Sequence, residues 1–240
     1  MGKSLSFVRL RTLFESRTSM SKTPSATAAE VDQLLIQAVV LLQRQRLLAE
    51  NLVRTGSSTL VEFEDAVSKG KQNIDHVLSV FNYCWALVDQ LERYRKIASV
   101  VPRLSQKSAE FRAMEASLRP LTNVRNQFQH INNHIRNENS GPLLGAVCWT
   151  NENTQFMATL PDLGSARTVP GIPVDTKTGA YTSQFCYVYN DDYFDLGAAI
   201  DAMRAFQQYI DQAVQIQVDG KGFVSGEHFI AIRTEFKFQS

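Results

Sequence analysis

The side chains best suited to chemistry lie in one short run, Arg125-Asn126-Gln127-Phe128-Gln129-His130, followed by Ile131-Asn132-Asn133-His134. Arginine offers a fixed fork of donors that fits a phosphate, and it stays charged at any working pH. Histidine titrates near neutrality and can move a proton. Asn126, four residues before His130, falls on the same helical face and can orient the ring or a ligand. Arginine, asparagine and histidine together suffice for cleaving RNA without a metal. The histidine activates a ribose 2′-hydroxyl, and the arginine stabilises charge on the phosphate.

That chemistry needs a helix to carry the run. Leu121, Val124, Phe128, Ile131 and Ile135 form one apolar stripe of a helix expected over 120–138, with Pro120 at its start. Asn126, His130, Asn133 and Asn137 form the opposite face. Arg125 stands roughly 140° from His130 at 100° per residue, so one helix does not easily bring the two together. A second copy across a two-fold axis would complete the pocket. His130 and His134 are four apart, as helical metal ligands can be, but no carboxylate or cysteine is placed to finish a site. Neither a metal nor a cofactor is expected.

The rest of the chain supplies the scaffold. Thr23 to Thr27 read as a linker and cap before a helix over 27–54, which Thr55-Gly56-Ser57-Ser58 should end, Gly56 serving as a left-handed cap. A short helix over 59–68 should stop near Gly70. The next helix, 71–98, carries a core stripe of Ile74, Val77, Phe81, Cys84 or Trp85, Val88 and Leu91. Its second stripe is polar: Asp75, Ser79, Asn82 and Asp89. A helix over 104–118 follows. Beyond Ser140 the pattern changes to strands over 143–149, 155–159 and 184–189, a Pro/Gly-rich loop over 160–182, a helix over 192–213 capped by Asp191 or Asp192, and a last strand over 228–238. Phe185, Tyr187 and Tyr189 alternate as one packed sheet face would. The fold class is therefore mainly α. A basic arm covers 1–25, a bundle of four or five helices 26–139, and a smaller α+β part 140–240. The last part is either its own domain or a sheet with a helix packed back on the bundle.

Charge and composition narrow the function classes. The 240 residues are 44% hydrophobic and 20% charged, with a net charge of +1, so a globally basic nucleic-acid binder is not indicated. Five basic residues face only Glu15 in residues 1–22, which resemble a transit peptide, a frayed arm or a start upstream of Met20. The C-terminal part is acidic. Local basic groups remain: Arg44, Arg46 and Arg54, then Arg93, Arg95 and Lys96, which can extend a surface toward RNA. No stretch is apolar for long enough to span a membrane. Cys84, Cys148 and Cys186 fit neither a disulfide framework nor a zinc ribbon, which makes a reducing, cytoplasmic setting the default. His76 reads as half of an ordinary helix pair with Asp75, and His228 as structural.

Arg-Asn-x-x-x-His on the last helix of a small bundle resembles the HEPN family signature, over residues 30–139. The resemblance implies a four-to-five-helix bundle, usually a homodimer, and often a metal-independent ribonuclease of toxin–antitoxin or antiviral systems. Arg125, Asn126 and His130 would be its catalytic residues. An acidic or polar residue of an earlier helix commonly sits near the motif; Asp75, Ser79, Asn82 and Asp89 are the candidates, with His134 as a further accessory group. RNA is then the expected ligand, and a cognate antitoxin or other protein the expected partner. The alternative is a helical interaction protein of the same fold without catalysis, which predicts binding without turnover.

Overall fold

The computed structural model describes residues 28–102, 104–129, 144–151, 154–160, 171–189 and 192–213. They form five helices and four strands: α1 (Ala28–Ser68), α2 (Ile74–Ser99), α3 (Ala109–Leu118), α4 (Leu121–Gln129), β1 (Ala146–Asn151), β2 (Thr154–Thr159), β3 (Phe185–Tyr189), β4 (Asp192–Asp195) and α5 (Leu196–Ala213). The chain is mainly helical, with a small antiparallel sheet in its C-terminal part. The expected arm over 1–25, the continuation of the motif helix over 130–138 and the expected strand over 228–238 lie outside the described residues.

The Thr-Gly-Ser-Ser stretch does not end the first helix. α1 continues through it as one helix of 41 residues. The hydroxyls that signal a break turn back onto the helix instead: Thr55 donates to the Asn51 carbonyl (2.9 Å), Ser57 to Arg54 (2.7 Å) and Ser58 to Thr55 (2.6 Å). Gly56 has a packing role. A Cβ there would lie 2.0 Å from the Tyr83 ring of α2, so the missing side chain makes a notch for the aromatic. The true end is at Gly70, whose φ of +63° suits glycine. The Gly70 N–H bonds Val67 (3.0 Å) and the Lys71 N–H bonds Ala66 (2.8 Å), the paired closure of a Schellman motif. Gly56→Ala therefore tests the notch by its sign. In an unobstructed helix interior the change stabilises by about 1 kcal/mol. Here it is expected to destabilise by about 2 kcal/mol in urea unfolding, because the ring must move.

α2 begins on a reciprocal cap. The Asn73 side chain accepts from the His76 N–H (3.2 Å), and His76 Nδ1 accepts from the Asn73 N–H (3.3 Å). His76 is thus a cap rather than an Asp75 partner. Phe81, Cys84, Val88 and Leu91 point inward as expected, whereas Ile74 at the helix start is exposed. α3 starts later than its pattern suggested because Ser108 caps it, accepting from the Phe111 N–H at 3.1 Å.

The sheet order is β2-β1-β3-β4, antiparallel throughout. β4 was expected as the first turn of the last helix. Tyr193 and Phe194 instead pair with Val188 and Tyr187, and the cap moves to Asp195, which accepts from the Ala198 N–H at 2.8 Å. One sheet face, with Val147, Trp149, Phe185, Tyr187, Tyr189 and Phe194, joins the same apolar core as all five helices. Glu64 of α1 ties the sheet down, accepting from Trp149 Nε1 (2.8 Å) and Asn151 Nδ2 (2.6 Å), while Phe63 meets the Trp149 ring edge-on. Of the described helices, none is long and apolar enough to cross a membrane.

Candidate functional site

The start of the motif is fixed by two carboxylates one helical turn apart. α4 crosses α2 so that Asp89 meets Arg125 and Glu92 meets Thr122; each pair member lies three residues from its neighbour on the same helix. Arg125 Nε donates to Asp89 Oδ1 at 2.9 Å, and the Thr122 hydroxyl donates to Glu92 Oε1 at 3.1 Å. The opposite order of the contacts along the two helices makes them antiparallel here. Leu121 and Val124, both buried, supply the apolar side of the crossing.

Asp89 is shared. Its Oδ2 accepts from Arg93 Nε at 2.7 Å, so two guanidinium groups flank one carboxylate. The Arg125 side chain is 27% exposed, open enough to meet a ligand from one side.

Glu92 is the buried member, its side chain 1% exposed. Arg95 clamps it with two bonds, Nε to Oε2 (2.7 Å) and Nη2 to Oε1 (3.0 Å), and reaches Glu115 of α3 through Nη1 (2.9 Å). Lys96 adds a contact at 3.4 Å. Burial pushes the Glu92 carboxyl up, but the Arg95 hydrogen bonds and charge, the Thr122 hydroxyl and Lys96 outweigh it, and the net shift is downward. The Arg95 guanidinium is correspondingly raised, chiefly by its bonds to Glu92. This corner of α2, α3 and α4 is what sets the motif helix in place.

Of the four polar candidates on α2, the structure brings only Asp89 to Arg125. Asp75, Ser79 and Asn82 are exposed on earlier turns, about 20, 15 and 10 Å up the helix axis at 1.5 Å per residue. Asn126 is exposed on α4. His130 and His134 lie outside the described residues. The expected basic surface from Arg93, Arg95 and Lys96 is largely neutralised, since all three pair with Asp89 or Glu92. Trp149, Tyr187 and Tyr189 are buried in the core. Glu92, Thr122 and Glu115 were missed by sequence reasoning. The available signal was the matched spacing, Asp-x-x-Glu on one helix and Thr-x-x-Arg on another. Among the described residues no three His, Cys, Asp or Glu side chains converge as a metal would require.

No family model, no curated protein and no solved structure matches the chain.

Proposed function

We propose that the protein is a cytoplasmic, HEPN-like, metal-independent endoribonuclease acting as a homodimer. The observation that supports it is the Asp89–Arg125 pair at 2.9 Å, an acidic residue of an earlier helix aligning the arginine of the motif. In this reading Arg125 holds the scissile phosphate through its guanidinium. His130 takes the proton of the ribose 2′-hydroxyl, the 2′-oxygen attacks phosphorus, and the 5′-oxygen leaves with a proton, giving a 2′,3′-cyclic phosphate and a 5′-hydroxyl. Asn126 orients the histidine or the substrate. The dimer supplies Arg125 and His130 to one pocket from two copies. A cognate antitoxin or other regulatory protein would restrain such an activity.

The second reading, a non-catalytic interaction protein, also has an observation in its favour. Asp89 already pairs with both Arg125 and Arg93, an arrangement that serves equally to hold α4 on α2.

The test is incubation of purified parent, Arg125→Ala and His130→Ala proteins with total RNA and labelled tRNA in EDTA. Cleavage by the parent is expected, with a loss of about a thousandfold in each variant and unchanged far-UV dichroism. Equal cleavage by all three would remove the motif from the mechanism. No cleavage by a folded, dimeric parent would favour the interaction protein.

A further inference from the structure

The outer face of the sheet holds two thiols that the proposed chemistry does not use. Cys148 of β1 and Cys186 of β3 are direct cross-strand partners, both free and both fully buried. The Thr150 N–H bonds the Gln184 carbonyl at 3.0 Å, which makes 150 and 184 a hydrogen-bonded pair of the ladder. Two residues along, Cys148 and Cys186 are therefore also such a pair, with Cα atoms about 5.5 Å apart. A disulfide spans Cα separations of about 4.4–6.8 Å, so this spacing admits a bridge once the Cβ atoms are drawn about 1 Å closer than a hydrogen-bonded pair holds them. The Cys186 thiol donates to Cys148, which holds Cys148 below the usual thiol range and pushes Cys186 above it. Two thiols facing each other at one ladder position are the pairing a dithiol needs.

Among the described residues, the cover over the pair is thin. The outer cluster contains Ala146, Ile172 and Val188, with Met157 and Tyr181 packed against it. Ile172 and Tyr181 belong to a narrow hairpin closed by the Val174–Tyr181 bridge and a bond from the Thr182 N–H to the Pro173 carbonyl (2.9 Å). Residues 173–180 of that hairpin are exposed. Two side chains on a solvated hairpin open more readily than a helix core does. Cys84 sits on the other side of the sheet, in the helical core, with its thiol pushed up by burial.

We propose that Cys148 and Cys186 form a redox-active dithiol, converted by a peroxide into a cross-strand disulfide. The Cys148 thiolate attacks a peroxide oxygen, which becomes its sulfenic hydroxyl while the other oxygen departs as hydroxide. The Cys186 sulfur then displaces the sulfenic hydroxyl, forming the S–S bond. Two thiols and one hydrogen peroxide become one disulfide and two waters.

The experiment treats the purified full chain with equimolar hydrogen peroxide, alkylates it under denaturing conditions and maps the peptides by mass spectrometry. The expected product is a Cys148–Cys186 linked peptide, lighter by two hydrogens and restored by dithiothreitol, with Cys84 alkylated. Ile172→Ala, which thins the cover, is expected to form it about tenfold faster. In Cys148→Ser, Cys186 should stay alkylatable. Three alkylated cysteines in both parent and Ile172→Ala, or a linkage that uses Cys84 or joins two chains, would overturn the proposal.

Discussion

Glu92→Ala is expected to cost about 3 kcal/mol of stability, the lower end of what breaking a buried ion pair costs. Arg95 is only 15% exposed, and without Glu92 it keeps one carboxylate, Glu115, and a long bond to the Thr122 hydroxyl. Thr122 loses its acceptor at the same time, and α4 loses one of its polar ties to α2. For a chain of this size the melting temperature should fall by about 10 °C. The pH dependence carries a sign. The Glu92 carboxyl is held below its ordinary value in the folded state, whereas in the unfolded chain it titrates near 4.3. Its contribution is therefore complete above the unfolded value and is lost as pH falls through the folded one. Glu92→Gln keeps the shape without the charge. The gap in stability between parent and Glu92→Gln should be widest near neutrality and narrow from about pH 5 downward. A gap independent of pH would show that the carboxylate's charge does not matter there.

If the protein cleaves RNA as proposed, Asp89→Ala is expected to lower the rate about a hundredfold, because a guanidinium released from its partner loses the alignment that the transition state needs. The fold should barely notice. The pair is more than a quarter exposed on both sides, and such ion pairs contribute about 1 kcal/mol or less. Asp89→Asn retains an acceptor for Arg125 Nε and should recover most of the rate, which distinguishes positioning of the arginine from support of the helix. The loss should appear in kcat more than in KM, since Asp89 acts through Arg125. Cleavage by Asp89→Ala at the parental rate would place Asp89 outside the site and leave it as a tie between helices.

Where a pattern depended on local spacing, the sequence was readable. The inward stripe of α2, the three aromatic-rich strands and the packed face of Phe185, Tyr187 and Tyr189 all follow from periods of 3.6 and 2. Where the outcome depended on a partner elsewhere in the chain, it was not. Gly56 has the same local context as a helix cap; only the Tyr83 ring, from another helix, makes it a notch. Tyr193 and Phe194 were drawn into the sheet by β3, which no window around Asp192 contains. Asp89 stood among four equivalent candidates because one helix cannot say at which height another crosses it. Glu92 and Thr122 were invisible for the same reason.

The seat of Tyr83 on Gly56 acts as a detent on the sliding of α1 against α2. Two long apolar helices can slip past one another by a turn at modest cost, since leucines exchange easily for leucines. A ring lodged where a helix has no side chain has no second seat of the same shape within reach. Six residues further along α2, about 9 Å at 1.5 Å per residue, stands Asp89. Eight residues beyond the notch on α1 stands Glu64, which grips the sheet through Trp149 and Asn151. A single gap in one side-chain row therefore gauges two distances, placing the sheet at one end and the motif arginine at the other on a common scale.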